Sequence, residues 1–250
     1  MKRWESRFEV KPGRWVYVPT PMVRAGGEAI RRAVSKAWSP PPFYFHLRGG
    51  GHVEALRRHR GNRLFFRCDL DDFFARINQS RITRCLKSRF PYPDARKMAG
   101  DSVVIRPGTK KTMLPYGYVQ SAILASLALD HSRLGRFLRQ CDSSKDLTVS
   151  VYVDDILLSS NDRERLASAA IELEHLAEGA GLPLNAAKTS GPAAAVAAFN
   201  VDLSHGSMSV TIERMKDFKA AYATASSPHV EMGIESYVYS VNPSQVGDLT

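Results

Sequence analysis

The stretch VYVDDILLSS (151–160) constrains the fold more than any other part of the chain. Val149, Val151 and Val153 alternate at strand period, and Ile156, Leu157 and Leu158 continue the apolar run beyond two acids. The pattern predicts two antiparallel strands over 147–160, with Asp154-Asp155 at the turn. Two-residue turns favour Asn-Gly or Gly-X, because those residues tolerate positive φ. Adjacent carboxylates at such a tip repel one another and hold protons more tightly than usual. A departure of this kind from local preference marks a functional position. Hard divalent cations, Mg²⁺ first and Mn²⁺ as a substitute, take carboxylate oxygens and offset the repulsion.

One turn cannot hold two ions, so a second strand must bring another carboxylate. RCDLDDFFARI supplies it: the apolar strand LFFRCDL (64–70) ends at Asp69, with Asp71 and Asp72 just beyond. If the two strands are neighbours, Asp69 and Asp154 face each other across the sheet end. Two ions about 4 Å apart could then be clamped between them, as in-line phosphoryl transfer requires. Asp155 is expected to support the pair. Asp71 and Asp72 are expected to cap a following helix. The N–H groups of Asp71, Asp72 and Phe73 could meet a triphosphate there.

At 250 residues, 44% hydrophobic and 24% charged, the chain is long and apolar enough for a folded core, which excludes disorder as the default. Residues 1–68 carry fifteen Lys/Arg against four Asp/Glu, and residues 69–250 carry twenty against twenty-one. The N-terminal quarter thus supplies the whole excess of the net +10 and suits a polyanionic partner. Cys68, Cys85 and Cys141 are widely spaced, which fits a reducing cytoplasm rather than a disulfide framework or zinc site. With no apolar leader and no run long enough to span a bilayer, a soluble cytoplasmic protein without membrane partners is expected.

Periodicity predicts a strand at 14–20 and helices at 27–38, 52–60, from about 73 to 90, 120–140 and 163–179. It also predicts a turn near 108–111 and a last hairpin over 195–212. Pro91 and Pro93 are read as helix stops. The irregular alternation implies an α+β fold: an antiparallel sheet backed by helices.

In this order, the segments resemble the reverse transcriptases. Y-V-D-D in an apolar hairpin is similar to their catalytic hairpin, and CDLDDFF to the strand carrying their first catalytic aspartate. LPYGYVQSAILASLAL (114–129) resembles their L-P-x-G-x-x-x-S turn and helix, GLPLNAAKTS a lysine-bearing segment, and FNVDL (199–203) the hairpin that grips the primer end. The likeness spans residues 60–215 well and the N-terminal part loosely. It implies a right-hand polymerase with basic fingers (1–63), a palm with interleaved fingers segments (64–215), and a minimal thumb or partner-binding segment (216–250). No further nuclease domain is expected.

The resemblance also implies roles. Asp69, Asp154 and Asp155, with the Leu70 backbone, would hold two metal ions. Lys188 would protonate or neutralise the pyrophosphate leaving group. Phe74, five residues after Asp69, would exclude a ribose 2′-OH, with Gly117 and Gln120 beside the nucleotide and Ser121 capping the helix. Arg14 and Lys11 flank a strand where similar enzymes bind the triphosphate. Tyr116, Tyr152, Phe199 and Asn200 would touch template or primer, and Arg57, Arg58, His59 and Arg60 the phosphate backbone. Expected partners are dNTPs, an RNA template, the DNA product, a structured non-coding RNA, and a protein partner or second copy. The chain departs from the family pattern at Tyr116, where Gln is usual, and at Ala122, where Pro is usual. The short isolated core most resembles the prokaryotic enzymes of retrons, abortive infection and antiphage defence. Template-free or protein-primed synthesis, and a non-catalytic RNA-binding module, are the competing readings.

Overall fold

The computed structural model describes residues 3–249. Its centre is a four-stranded antiparallel sheet. The strands are β3 (Leu64–Asp69), β6 (Thr148–Tyr152), β7 (Asp155–Ser160) and β8 (Ser190–Ala193), in the order β6-β7-β3-β8. The strands 64–70 and 155–160 are therefore direct neighbours, paired from Leu64↔Ser160 to Asp69↔Asp155. That register puts the acid ends of both strands at one edge of the sheet.

Helices cover the sheet's inner face. α5 (Ser121–Asp130), α6 (Arg133–Ser143) and α7 (Arg163–Gly179) pack there with α3 (Gln79–Leu86). The large core holds Phe66, Cys68, Leu124, Leu127, Val149, Ile156, Leu158, Leu166 and Leu173. Each fully buried Leu or Ile side chain contributes roughly 1.5–3 kcal/mol relative to exposure. α5 is buried on nearly every side, which explains its uniformly apolar sequence ILASLAL. The three cysteines are free and buried.

The helix expected over 120–140 is two helices. His131 and Ser132 break it, and the Ser132 hydroxyl caps α6 by accepting from the Gly135 N–H. Gly135 fits only because it lacks a side chain: a Cβ there would lie 2.2 Å from the Leu129 carbonyl oxygen. The helix expected from Phe73 is likewise divided. A 3₁₀ turn at Phe73–Arg76 ends at Ile77, and Asn78 caps α3 by accepting from the Arg81 N–H. Pro91 and Pro93 start a helix instead of ending one: α4 spans Tyr92–Asp101 with Pro93 in its first turn. There the missing N–H costs nothing.

α1 (Pro21–Ala37) begins earlier than the sequence pattern indicated, with Thr20 as its cap. Before it, β1 (Trp4–Lys11) and β2 (Arg14–Pro19) form a hairpin whose first strand is exposed and whose second buries Tyr17; periodicity gave only the second strand. A short hairpin, β4 (Val104–Ile105) with β5 (Thr112–Met113), encloses the expected turn at 108–111. α2 (Gly51–Arg57) matches the expected basic helix.

The last hairpin is a three-stranded sheet: β9 (Ala195–Ala198), β10 (Val201–Ser204) and β11 (Ser207–Val210), in the order β11-β10-β9. α8 (Ile212–Ala223) and α9 (Pro228–Val241) cover it. Ile234, Val238 and Val241 join Val196, Leu203 and Met208 in a second core.

Candidate active site

The β6–β7 hairpin closes with Tyr152 opposite Asp155, so the two turn residues are Val153 and Asp154. This corrects the expected tip: Asp155 belongs to the strand and lies opposite Asp69, while Asp154 sits in the turn. The strain falls on Val153, at φ 61. A β-branched residue in the left-handed region costs roughly 1–3 kcal/mol. Two hydrogen bonds hold the turn: the Val153 N–H donates to His46 Nδ1 (2.9 Å), and the Leu70 N–H donates to the Asp154 carbonyl (2.9 Å).

Each of Asp69, Asp154 and Asp155 offers a carboxylate oxygen, and these oxygens lie within 4.8 Å of one another. It is the carboxylate cluster of metal-binding size found among the described residues. Asp69 is almost fully buried. Burial first, and then the Asp69 charge, pushes the Asp154 carboxyl up to about 6. Burial also raises Asp155, opposed by Arg67. A donor set of three crowded carboxylates is what hard divalent cations take. The residues therefore fit a metal pair.

Basic side chains now balance the cluster. Lys188 Nζ donates to Asp69 Oδ2 at 2.8 Å, Arg67 holds Asp155 Oδ1 through Nε (3.2 Å) and Nη2 (2.8 Å), and an Arg14 nitrogen lies 3.9 Å from Asp154. Arg67 was not anticipated, although its place two residues before Asp69 puts it on the same strand. Arg67 and Lys188 thus each occupy one oxygen, of Asp155 and of Asp69, while the Arg14 contact to Asp154 is the longer one. Lys188, expected at a leaving group, rests on Asp69. Leu70 is buried, and a bridge to Leu184 fixes the end of its strand.

Around the carboxylates stands a wall of rings. Phe74 packs on Tyr116 with centroids 4.8 Å apart, and the Arg14 guanidinium lies 4.6 Å over the Tyr116 ring and donates to its hydroxyl. Of the adjacent phenylalanines, Phe73 is the core residue and Phe74 the one against Tyr116. On the other side of the turn, Tyr152 meets His46, His52 and Phe199, and His52 reaches Tyr237 of α9. Phe199 and Asn200 form the β9–β10 turn, both with positive φ. His46 and His52 were missed, being isolated residues whose roles depend on long-range packing.

Several expected placements are corrected. Neither Asp71 nor Asp72 caps with its side chain: Asp72 stands at the N-cap position of the 3₁₀ turn, but its carboxylate binds Arg106 (2.8 Å), and that of Asp71 binds Arg76 (2.7 Å). The Asp71 N–H donates to the Pro183 carbonyl, so only Asp72 and Phe73 remain as candidates to meet a triphosphate. Gln120, expected beside the nucleotide, is buried between Gly27 and Ser102, its amide donating to the Ser102 hydroxyl. Ser121 donates to the Pro115 carbonyl and ties down the preceding loop rather than capping α5. Gly117, at φ 95, lets that loop approach β2, since a Cβ would lie 2.3 Å from the Tyr17 carbonyl oxygen. The close approach it permits is to the chain itself.

In the basic run 57–60 only His59 is buried, and the arginines stay exposed but bonded to neighbouring elements. Arg57 binds Glu54 and the Ser240 carbonyl, Arg58 binds Asp142, and Arg60 donates to the Gly206 carbonyl. These bonds tether α2 and the turn after it to neighbouring elements. His59 is fully buried between the Ser150 and Ser159 hydroxyls; burial lowers it to about 3, so it is neutral. Lys11 sits exposed at the tip of the β1–β2 hairpin.

Fold and site together define a polymerase-type palm: an antiparallel sheet carrying acids from two strands, with fingers above it. The family model for reverse transcriptase (RNA-dependent DNA polymerase) matches residues 14–198, and the chain belongs to that family. The Retron Ec86 reverse transcriptase of Escherichia coli is 25% identical over 222 residues, covering 86% of this chain and 66% of the relative. The chain thus spans just under two thirds of that relative's length. Telomerase from Candida albicans, solved with a fragment of telomeric RNA, superposes with a TM-score of 0.59 at 12% identity, over 91% of this chain and 46% of that one. A foamy viral protease-reverse transcriptase solved with double-stranded DNA gives 0.52 at 16% identity, over 92% and 35%. At those identities the likeness concerns the fold alone. No helix among the described residues is long and apolar enough to cross a membrane.

Proposed function

We propose that the chain is an RNA-directed DNA polymerase that adds deoxynucleotides to a primer 3′ end by two-metal phosphoryl transfer. The observation that carries this reading is the convergence of Asp69, Asp154 and Asp155 at one sheet edge. Asp69 and Asp154 would hold the ions, Mg²⁺ or in its place Mn²⁺, with Asp155 in support. Bound there, such ions activate the attacking hydroxyl and stabilise charge on the departing pyrophosphate.

The chain's own groups do the rest. Arg14, held on the Tyr116 ring beside Asp154, supplies a fixed positive charge for the triphosphate. Lys188, whose ammonium rests on Asp69, would neutralise or protonate the leaving group. Phe74 closes the floor beneath the sugar. Tyr152, Phe199 and Asn200 bear on the primer terminus. A groove of about 670 Å³ lined by Arg31, Arg48, Val119 and Ile123 runs along α1 and the start of α5, where a template strand can enter. α8 and α9 act as a small thumb. The likeness to the retron enzyme supports a place in prokaryotic antiphage defence, with a structured RNA as natural partner.

The test is incorporation of labelled dNTPs on an RNA template with a DNA primer. Product complementary to the template, absent for Asp69→Asn and Asp154→Asn, is expected. Product made equally well without RNA, or by the variants, overturns the reading.

A further inference from the structure

Counted over residues 69–250, charge is nearly balanced, but that balance conceals a local imbalance. Residues 76–111 hold ten Lys/Arg and two Asp/Glu, while residues 112–250 hold ten and sixteen. The fold gathers much of the first group on one surface. A groove of about 900 Å³ between α3, the end of α5 and α6 is lined by Arg81, Arg84, Arg89, Arg136 and Arg139. Its floor is Ala128, Asp130 and His131, at the far end of α5 from Tyr116 and Gly117. Ten helical residues at about 1.5 Å each place it some 15 Å from the catalytic end of that helix.

Of the five lining arginines only Arg139 is paired with a carboxylate among the described residues. The lining contains a single carboxylate, Asp130, bound by Arg139 through Nε (2.7 Å) and Nη2 (2.8 Å) and by the Trp38 ring N–H (3.0 Å). Arg81, Arg89 and Arg136 donate to the carbonyls of Ala180, Ala37 and His131, which orient the guanidinium groups without cancelling charge. Arg84 makes no hydrogen bond or ion pair among the described residues. It also borders a second depression of about 380 Å³, to which Lys87 and Arg96 contribute and no acid does. The two form one basic track around α3.

We propose that this track is a second nucleic-acid site, which grips the phosphodiester backbone of a duplex segment lying outside the catalytic cleft. The proposal rests on the polymerase reading, which supplies nucleic acid as the partner. Guanidinium forks match phosphate oxygens in a way that a single ammonium or hydroxyl cannot. The main groove contains no Phe, Tyr or Trp, and its one ring, the His131 imidazole, is engaged by Arg89, so it lacks the stacking platform by which single strands are held. Contacts of this kind position a helix without reading its sequence.

The experiment compares the wild type with Arg84→Ala/Lys87→Ala/Arg136→Ala, exposed residues in no ion pair. Binding of a long RNA hairpin and of a long RNA–DNA hybrid is measured across a salt series. Extension of a short primer–template that fills only the cleft is followed in parallel. The slope of log affinity against log salt should fall by about two to three, one counterion-release unit per lost phosphate contact. Affinity for the long duplex should drop at least roughly tenfold at physiological salt, with short-template extension unchanged. Loss with only the hairpin or only the hybrid tells which duplex occupies the track. An unchanged slope and affinity for both overturns the proposal and leaves the surface to an acidic protein. Failure of the wild type to extend the short template would instead count against the polymerase reading.

Discussion

His46 is the residue whose removal tests most sharply how the catalytic turn is held. Its Nδ1 accepts the Val153 N–H (2.9 Å), and its Nε2 lies 2.7 Å from Ser126 Oγ. The Ser126 hydroxyl already donates to the Ala122 carbonyl, so the ring must be neutral, with its proton on Nε2. Burial lowers it to about 4, which keeps it in that form at neutral pH. In His46→Ala the strained turn at φ 61 loses the acceptor of its own N–H. An unsatisfied buried group costs about 1–3 kcal/mol, comparable with the strain at Val153. The turn should relax, and Asp154 with it. Misplacing a catalytic group by about 1 Å costs on the order of 100-fold. Single-turnover incorporation at saturating dNTP should therefore fall by roughly 10- to 100-fold, while dNTP affinity, set by Arg14 and Tyr116, changes little. His46→Asn, which restores an acceptor near Nδ1, should recover much of the rate. Wild-type turnover in His46→Ala would refute the reasoning.

Three further outcomes are expected. With its folded-state value raised to about 6, Asp154 favours the folded state when protonated, and that contribution is lost as pH rises through 6. Without divalent cations, thermal stability should increase by about 1–2 kcal/mol between pH 7.5 and pH 5, and the increment should vanish in Asp154→Asn or when Mg²⁺ is present. Gly117→Ala, which forces a Cβ against the Tyr17 carbonyl at a positive φ, should cost at least about 2 kcal/mol in denaturant unfolding and weaken dNTP binding by displacing Arg14. Phe74→Ala should raise ribonucleotide incorporation relative to deoxynucleotide; an unchanged ratio assigns Phe74 to packing with Tyr116 alone.

The parts of this molecule legible in its sequence are those where a local pattern and a chemical oddity coincide. The acids at 69, 154 and 155 stood out because they interrupt apolar strands; that their strands are neighbours was only a condition of the sequence reading, and the register meets it. The register within the turn was not legible, since hydrophobic alternation cannot tell Val153-Asp154 from Asp154-Asp155 as the central pair. The breaks at Ile77 and at His131–Ser132 were hidden because apolar spacing continues across them; the signals were the caps Asn78 and Ser132. The arginines at 57, 58 and 60 read as free charge because their partners, Ser240, Asp142 and Gly206, lie far along the chain. Conversely, the basic track around α3 was invisible to charge counting over the longer segment, where acids further along the chain cancel it.

Mn²⁺ binding followed by electron paramagnetic resonance, in the presence of a dNTP, addresses the shared carboxylate site most directly. The wild type should take up two interacting ions. Asp69→Asn/Asp154→Asn should retain at most the ion carried by the nucleotide. Equal uptake by both proteins would show that these side chains hold no cation, and the assignment of chemistry to this sheet edge would be wrong.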